Sequence, residues 1–185
     1  SGDANTVVPF GGADIHSLSW HPTKDFIAAA SYSGWIRIWN SGGLNSTVDV
    51  SLFQQDEPIL DVAWSTKGNF LAMRSYSGEV IVLEIDFQRS NPLAKVIWKA
   101  KLQTSDPTSF TWSQIQETQI FVGSADGKIY EWEVLENRLL EEQVVSTAEI
   151  SSIYSSDIFL ASAAKDGKIT VWNTNDWSKV SVVNN

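Results

Sequence analysis

SYSGWIRIW, residues 31–39, and SYSGEVIVL, residues 75–83, share four letters and then an alternating apolar pattern. The shared letters are either a chemical motif used twice or the reversal between two strands of a repeated unit. Reading outward decides between them. SLSWHPTKDFIAAASYSGWIRIW (17–39) aligns with DVAWSTKGNFLAMRSYSGEVIVL (61–83), SFTWSQIQETQIFVGSADGKIYEW (109–132) and SSIYSSDIFLASAAKDGKITVW (151–172). The anchor glycines Gly34, Gly78, Gly127 and Gly167 are spaced 44, 49 and 40 residues apart. A period near forty marks a repeated supersecondary unit. Trp20, Trp64, Trp112 and Tyr154 read as the equivalent aromatic of each copy, 14, 14, 15 and 13 residues ahead of its glycine.

Every copy holds three short runs rich in β-branched or aromatic residues, separated by polar turns and without helical periodicity. A fourth run follows each: TVDVSLF (47–53), AKVIWKAKL (94–102), NRLLEEQVV (137–145) and SKVSVV (178–183). NRLLEEQVV also has a helical alternative, because Leu, Glu and Arg favour helices. Each unit otherwise reads as a four-stranded antiparallel meander, and meanders repeated at this spacing form the blades of a β-propeller. The expected organisation is one all-β domain over 1–185, with blades at about 15–53, 58–102, 108–145 and 149–183. TVVPF, within 5–10, is a candidate closure strand.

These residues resemble the WD-repeat family. Its repeat ends in a glycine- or aspartate-bearing turn, an alternating strand and Trp-Asp; the endings here are IRIWN, VIVLE, IYEWE and ITVWN. Asp126 and Asp166 keep the turn aspartate, Ser33 and Ser77 replace it, and no copy has the family's Gly-His pair before the first strand. The family's buried Asp-His-Ser-Trp network is therefore not expected, and stability should rest on packed aromatics and ladder hydrogen bonds. Because the family's rings have seven or eight blades, the resemblance implies that four blades are part of one. A half-ring would uncover two mostly apolar faces of roughly several hundred Å² each. The rest of a longer chain, a partner chain or a second copy would supply the missing blades; a compact four-bladed ring is the alternative.

Composition narrows the chemistry. A chain of 185 residues buries roughly 70% of its unfolded surface, enough for a core without staples. It has no cysteine, so thiolate zinc sites and cysteine nucleophiles are not available within it. A net charge of −9 argues against direct nucleic-acid binding. No apolar run approaches the roughly eighteen residues that span a bilayer, so no membrane role is expected. His16 and His21 have no third ligand at metal spacing, and the paired glycines lack phosphate-loop spacing. His21 before Pro22 reads as the opening of a turn, and His16 as lying beside the blade surface. Asp126 and Asp166 occupy one repeat position, which favours turn capping over a carboxylate pair. The glutamates between 131 and 149 read as a solvated blade edge, or as a docking face for a basic partner. No cofactor, metal or catalytic residue is expected.

What remains is a binding rim, formed by the turns between second and third strands and the loops before first strands. Its expected contact residues are Tyr32, Ser33 and Trp35 of blade one, Tyr76 and Glu79 of blade two, Asp126 and Lys128 of blade three, and Lys165 of blade four. Exposed Tyr and Trp are enriched among binding hot spots, so Tyr32, Trp35 and Tyr76 lead, with packing against adjacent loops as their alternative role.

DIHSLSWHPTKDFIAAASYSGWIRIWN, PILDVAWSTKG (58–68) and AEISSIYSSDIFLASAAKDGKITVWN further resemble the messenger-RNA export factor family of the nuclear pore and its spindle-checkpoint relatives. That resemblance implies a noncatalytic adaptor in nuclear transport, located in the nucleus or at the pore, which holds a short nucleoporin motif of the GLEBS type. Ser31-Tyr32-Ser33 keeps the aromatic of that family's Ser-Trp-Asp turn and loses the acid; Ser124-Ala125-Asp126 does the reverse. The alternatives are a cytoplasmic or nuclear scaffold subunit of a checkpoint, coat or ubiquitin-ligase assembly, or an enzyme whose catalytic residues lie in the missing blades.

Overall fold

The computed structural model describes residues 14–40, 50–88, 92–102 and 105–184; TVVPF lies outside them. Blade one comprises β1 (Ile15–Trp20), β2 (Phe26–Ser31), β3 (Trp35–Asn40) and β4 (Val50–Gln54). Blade two comprises β5 (Ile59–Trp64), β6 (Phe70–Ser75), β7 (Glu79–Asp86) and β8 (Leu93–Lys101). Blade three comprises β9 (Pro107–Trp112), β10 (Gln119–Ser124), β11 (Lys128–Glu133) and β12 (Arg138–Val144). Blade four comprises β13 (Ile150–Ser156), β14 (Phe159–Ala164), β15 (Lys168–Asn173) and β16 (Lys179–Asn184). Each blade is an antiparallel sheet in chain order, so the chain folds as an all-β propeller of four blades. NRLLEEQVV pairs along β11 as a strand instead of coiling into a helix.

Glycine closes each second-to-third turn. Gly34 has φ +82°, and a Cβ there would lie 2.0 Å from the Gln55 carbonyl oxygen. No L side chain fits that geometry without moving the start of the following blade.

The core lies between blades. Strand alternation gives each blade two apolar faces. Ala28, Ala30, Ile36 and Ile38 of blade one pack against Val62, Trp64, Leu71, Met73, Ile81 and Leu83 of blade two. The other face of blade two, with Ala72, Val80, Val82 and Trp98, meets Trp112, Ile120 and Val122 of blade three. Phe121 and Ile129 of blade three then meet Ile153, Leu160 and Trp172 of blade four.

Hydrogen bonds set the registry at these junctions. The Val62 and Trp64 amides donate to Ser17 Oγ (3.2 Å) and Ser19 Oγ (3.1 Å) across the first. Trp112 Nε1 donates to the Ala63 carbonyl (3.0 Å) and Trp98 Nε1 to Asn137 Oδ1 (3.0 Å) across the second. Thr108 Oγ1 donates to the Ile150 carbonyl across the third. Trp172 Nε1 reaches Ser162 Oγ within blade four at 2.9 Å. Much of the tryptophan thus has a structural cause: buried rings fill the junctions, and the N–H groups of Trp98 and Trp112 fasten the second of them.

Cross-strand register corrects one expected equivalence. Trp20 pairs with Ile27, Trp64 with Leu71 and Trp112 with Ile120. In blade four the residue paired with the corresponding Leu160 is Ser155, whereas Tyr154 pairs with Ala161. Tyr154 therefore points to the opposite face from the tryptophans and is 70% exposed. The shorter β13–β14 hairpin shifts the alignment by one residue, and one residue reverses a side chain's face.

Packing joins β1 to β5, β5 to β9 and β9 to β13; among the described residues no comparable packing joins β13 back to β1. The four blades form an open arc.

Candidate binding rim

Four equivalent backbone hydrogen bonds place the expected rim segments at one end of the arc. The amides of Tyr32, Tyr76, Ala125 and Lys165 donate to the carbonyls of Asp14, Pro58, Asp106 and Glu149 at 2.9, 2.8, 3.0 and 2.9 Å. Each bond ties a second-to-third turn to the segment entering the same blade. The rim is thereby fixed at the backbone before any side chain contributes.

Buried serines organise the turns. Ser31 Oγ accepts from the Trp35 amide (3.2 Å) and lies 3.0 Å from Ser33 Oγ. Ser75 Oγ accepts from the Glu79 amide (3.1 Å) and lies 3.2 Å from Ser77 Oγ. Ser124 Oγ donates to Asp126 and accepts from the Lys128 amide at 3.3 Å. Ala164 occupies this position in blade four, and Asp166 instead accepts from the Lys168 amide (3.1 Å) and Nζ (2.8 Å). Those two bonds hold the Asp166 carboxyl below the usual carboxylate range.

Glu57 is a rim residue that sequence reasoning missed. Its carboxylate accepts from both the amide and the hydroxyl of Ser77, each at 2.8 Å. The acid absent from the turn itself therefore arrives from the segment before β5. Partial burial alone would raise the Glu57 pKa, but the Ser77 bonds, with Ser75 and the Lys101 charge, hold it below its ordinary value. The available sequence signal was the pairing of a serine turn with an acid shortly before the first strand.

The expected contact residues separate into four groups. Tyr32 and Tyr76 stand on adjacent turns, 51% and 67% exposed. The His16 ring lies 5.2 Å from that of Tyr32 and supports it. Ser33 and Asp126 face inward to their turn serines. The charged members already have partners: Glu79 with Lys99 (3.6 Å), Lys128 with Glu142 (2.7 Å) and Asp126 (3.7 Å), and Lys165 with Glu149 (2.7 Å). The Glu142 bond also raises the Lys128 pKa. Trp35 packs with Ala29 and Trp39 on the outer face of blade one, with Arg37 over its ring at 5.8 Å. The structure thus gathers the two tyrosines at the rim and places Trp35 on the blade side.

At the opposite end, His21 opens the β1–β2 turn, its Nδ1 accepting the Thr23 and Lys24 amides at 3.1 and 3.0 Å. Its Nε2 donates to the Gly68 carbonyl of blade two at 3.1 Å. Among the described residues, no three His, Asp or Glu side chains converge as metal ligands.

Comparison with known proteins agrees with this architecture. Residues 6–40 match the family model described as "WD domain, G-beta repeat". Over 91% of its length the chain is 21% identical to Protein HIR1 of Cryptococcus neoformans var. neoformans, covering 22% of that protein. Human F-box-like/WD repeat-containing protein TBL1X is 39% identical over 31% of the chain and 10% of its own length. Protein transport protein SEC13 of Chaetomium thermophilum is 33% identical over 36% of the chain and 23% of its own length. The chain therefore spans under a quarter of these relatives. Crystal structures of the computationally designed Ika4 and Ika8 proteins overlay it with TM-scores of 0.69 and 0.70 at 20% identity. Those matches cover 88% and 90% of this chain against 92% and 48% of theirs. The repeat model spans β1 to β3, and the chain is similar in sequence to proteins that include a WD repeat-containing one and in fold to designed proteins.

Proposed function

We propose that the chain is a noncatalytic protein-interaction scaffold whose rim over blades one and two grips a short peptide. The observation that carries this reading is the pair Tyr32 and Tyr76, two exposed rings presented at one end on turns fixed by backbone bonds. Rings held this way lose little conformational entropy on binding and suit the role of hot-spot anchors. Asp14, Asp56, Glu57 and Glu79 lie on the same segments, which favours a peptide with basic residues beside its apolar anchors. Further members of the rim, Ser33, Asp126, Lys128 and Lys165, fix turn shape and local charge.

The finer reading is a nucleoporin-type motif of the GLEBS class, in nuclear transport or messenger-RNA export, with a location in the nucleus or at the pore. The PILDVAWSTKG resemblance supports it, and likeness to a protein transport protein is compatible with a transport role. Isothermal titration with a synthetic GLEBS peptide tests it. Tyr32→Ala with Tyr76→Ala should weaken binding by about tenfold or more. Unaltered affinity in that double variant would refute the rim assignment; no binding by the parent protein would refute the GLEBS identity.

A further inference from the structure

We propose that the cleft between blades three and four is a second docking site, which takes the acidic side chain of a partner's peptide between Thr170 and Lys179. It is separate from the tyrosines of the rim, which stand on blades one and two.

The repeat shows what the cleft replaces. Met73 pairs with Ile81 across β6 and β7, and Val122 with Tyr130 across β10 and β11. All four side chains are buried, packed against the preceding blade. Ser162 and Thr170 form the same cross-strand pair in blade four. Two residues beyond Ser162, Ala164 stands where Ser75 and Ser124 buttress the turns of blades two and three. Small residues at these three positions line a cleft of about 450 Å³. Hydroxyl groups here take the place of apolar side chains, so the chain forgoes apolar burial at a position where its other junctions gain it.

The two hydroxyls differ in what they have to bond. Ser162 Oγ accepts from Trp172 Nε1 at 2.9 Å and reaches the Thr170 carbonyl at 3.4 Å, so its capacity is used within the blade. Thr170 is only 7% exposed, yet among the described residues its Oγ1 has no protein partner, and it faces the cleft. A buried hydroxyl without a partner is costly, and this one is a donor placed where a ligand's acceptor can reach it.

Charge selects the acceptor. Asp166 accepts from Lys168 Nζ at 2.8 Å, which neutralises that lysine. Lys179 pairs with no carboxylate among the described residues; its Nζ lies 5.1 Å from the centre of the Trp172 ring. Lys179 is the cross-strand partner of Trp172, which shares a face of β15 with Thr170, so hydroxyl and ammonium border one patch. One uncompensated cation beside one free hydroxyl, in a chain of net charge −9, suits a carboxylate, with an oxygen for each donor. A dianionic phosphate would exceed the available charge.

The mouth of the cleft indicates that this carboxylate belongs to a peptide. Val144 of β12 and Val182 of β16 line it and are 69% and 45% exposed. A free small carboxylate would leave both in water, whereas an acidic residue with apolar neighbours in an extended segment would cover them.

Nuclear magnetic resonance titration of the 185-residue chain with the peptide acetyl-Ser-Val-Glu-Val-Ser-amide, its Gln-for-Glu counterpart and sodium acetate tests this site. The Glu peptide should shift amides of residues 144–147, 162–170 and 179–182 saturably. The Gln peptide should bind about tenfold more weakly or worse, and Thr170→Val and Lys179→Met should each cost the Glu peptide about tenfold. Thr170→Ser, which keeps the hydroxyl, should bind as the parent does, and so should the remote Lys95→Met. Thr170→Val should melt no lower than the parent, because the hydroxyl it removes bonds nothing within the protein. Equal affinity for the Glu and Gln peptides, unchanged binding by Thr170→Val, or shifts spread along other lysines would overturn the proposal. Acetate binding as tightly as the peptide would overturn the peptide as occupant. Lys179→Met alters an exposed side chain and decides the matter if Thr170→Val does not fold.

Discussion

Replacing Gly68 with alanine tests how rigidly blade one is locked to blade two. Gly68 has φ +82°, where an L side chain is strained by roughly 1–2 kcal/mol. The new Cβ would lie 2.3 Å from both Cε1 and Nε2 of His21, so the ring would have to move. Its freedom to do so is small: Nδ1 is held by two amides, and Phe26, Trp64 and Phe87 surround the ring at 4.8 to 6.4 Å. Overpacking of such a site costs roughly 1–3 kcal/mol, giving a total of about 2–5 kcal/mol. For a chain of this length that lowers the melting temperature by roughly 4–20 °C, measurable by scanning calorimetry. The double variant with His21→Ala removes the clash and should reduce the additional cost of Gly68→Ala to the backbone strain alone. A single variant costing under about 1 kcal/mol, or an equal cost with and without the His21 ring, would refute the lock.

Three other outcomes follow from the geometry. Burial lowers the His21 pKa, the Gly68 bond partly opposes this, and the Lys24 charge lowers it further. Its contribution to stability is thus complete above the ordinary value near 6.5 and is lost as pH falls from there toward the depressed folded value; melting temperature against pH should show this slope, and His21→Gln should remove it. Alanine at Tyr32 and Tyr76 should change stability by under about 0.5 kcal/mol each in urea titrations, because both rings are largely in solvent; a larger loss would make them packing residues. Since Glu57 is held below its ordinary pKa, its bonds to Ser77 should persist above that value and be lost as pH falls through the lowered one; the Ser77 amide proton resonance should report this, and Glu57→Gln should abolish the titration.

The fold was legible because two local signals recur in step: period-two apolar runs and a glycine reversal ending at Gly34, Gly78, Gly127 and Gly167. Both are enforced by neighbours within a few residues. Assigning each face to a neighbour was harder, because FIAAAS and FLAMRS are apolar on both sides and alternation alone does not say which side meets which blade. Tyr154 shows the consequence: a shorter hairpin moved the true counterpart to Ser155, which carries no aromatic ring to mark it. At the rim, the tyrosines could be placed from their turns, whereas Trp35, two residues beyond Ser33, falls on the blade's outer side. The Glu57–Ser77 and His21–Gly68 contacts depend on how separate segments meet, with separations of 20 and 47 residues; an acid ahead of a serine turn is the one sequence signal for the first, and no local pattern encodes the second.

A core that lies between blades behaves as a chain of nearest-neighbour couplings. In such a system cooperativity belongs to the junctions, and order melts inward from the ends. Blades two and three are clamped on both faces, so their amides should exchange with solvent only through concerted opening, whereas β1 to β4 and β13 to β16 can fray singly. An exchange map of the isolated arc would therefore show a gradient along the sequence, steepest at its ends. Neighbouring blades on the two open faces, from any source, would level it, making the protection of blades one and four a gauge of whether those faces are covered.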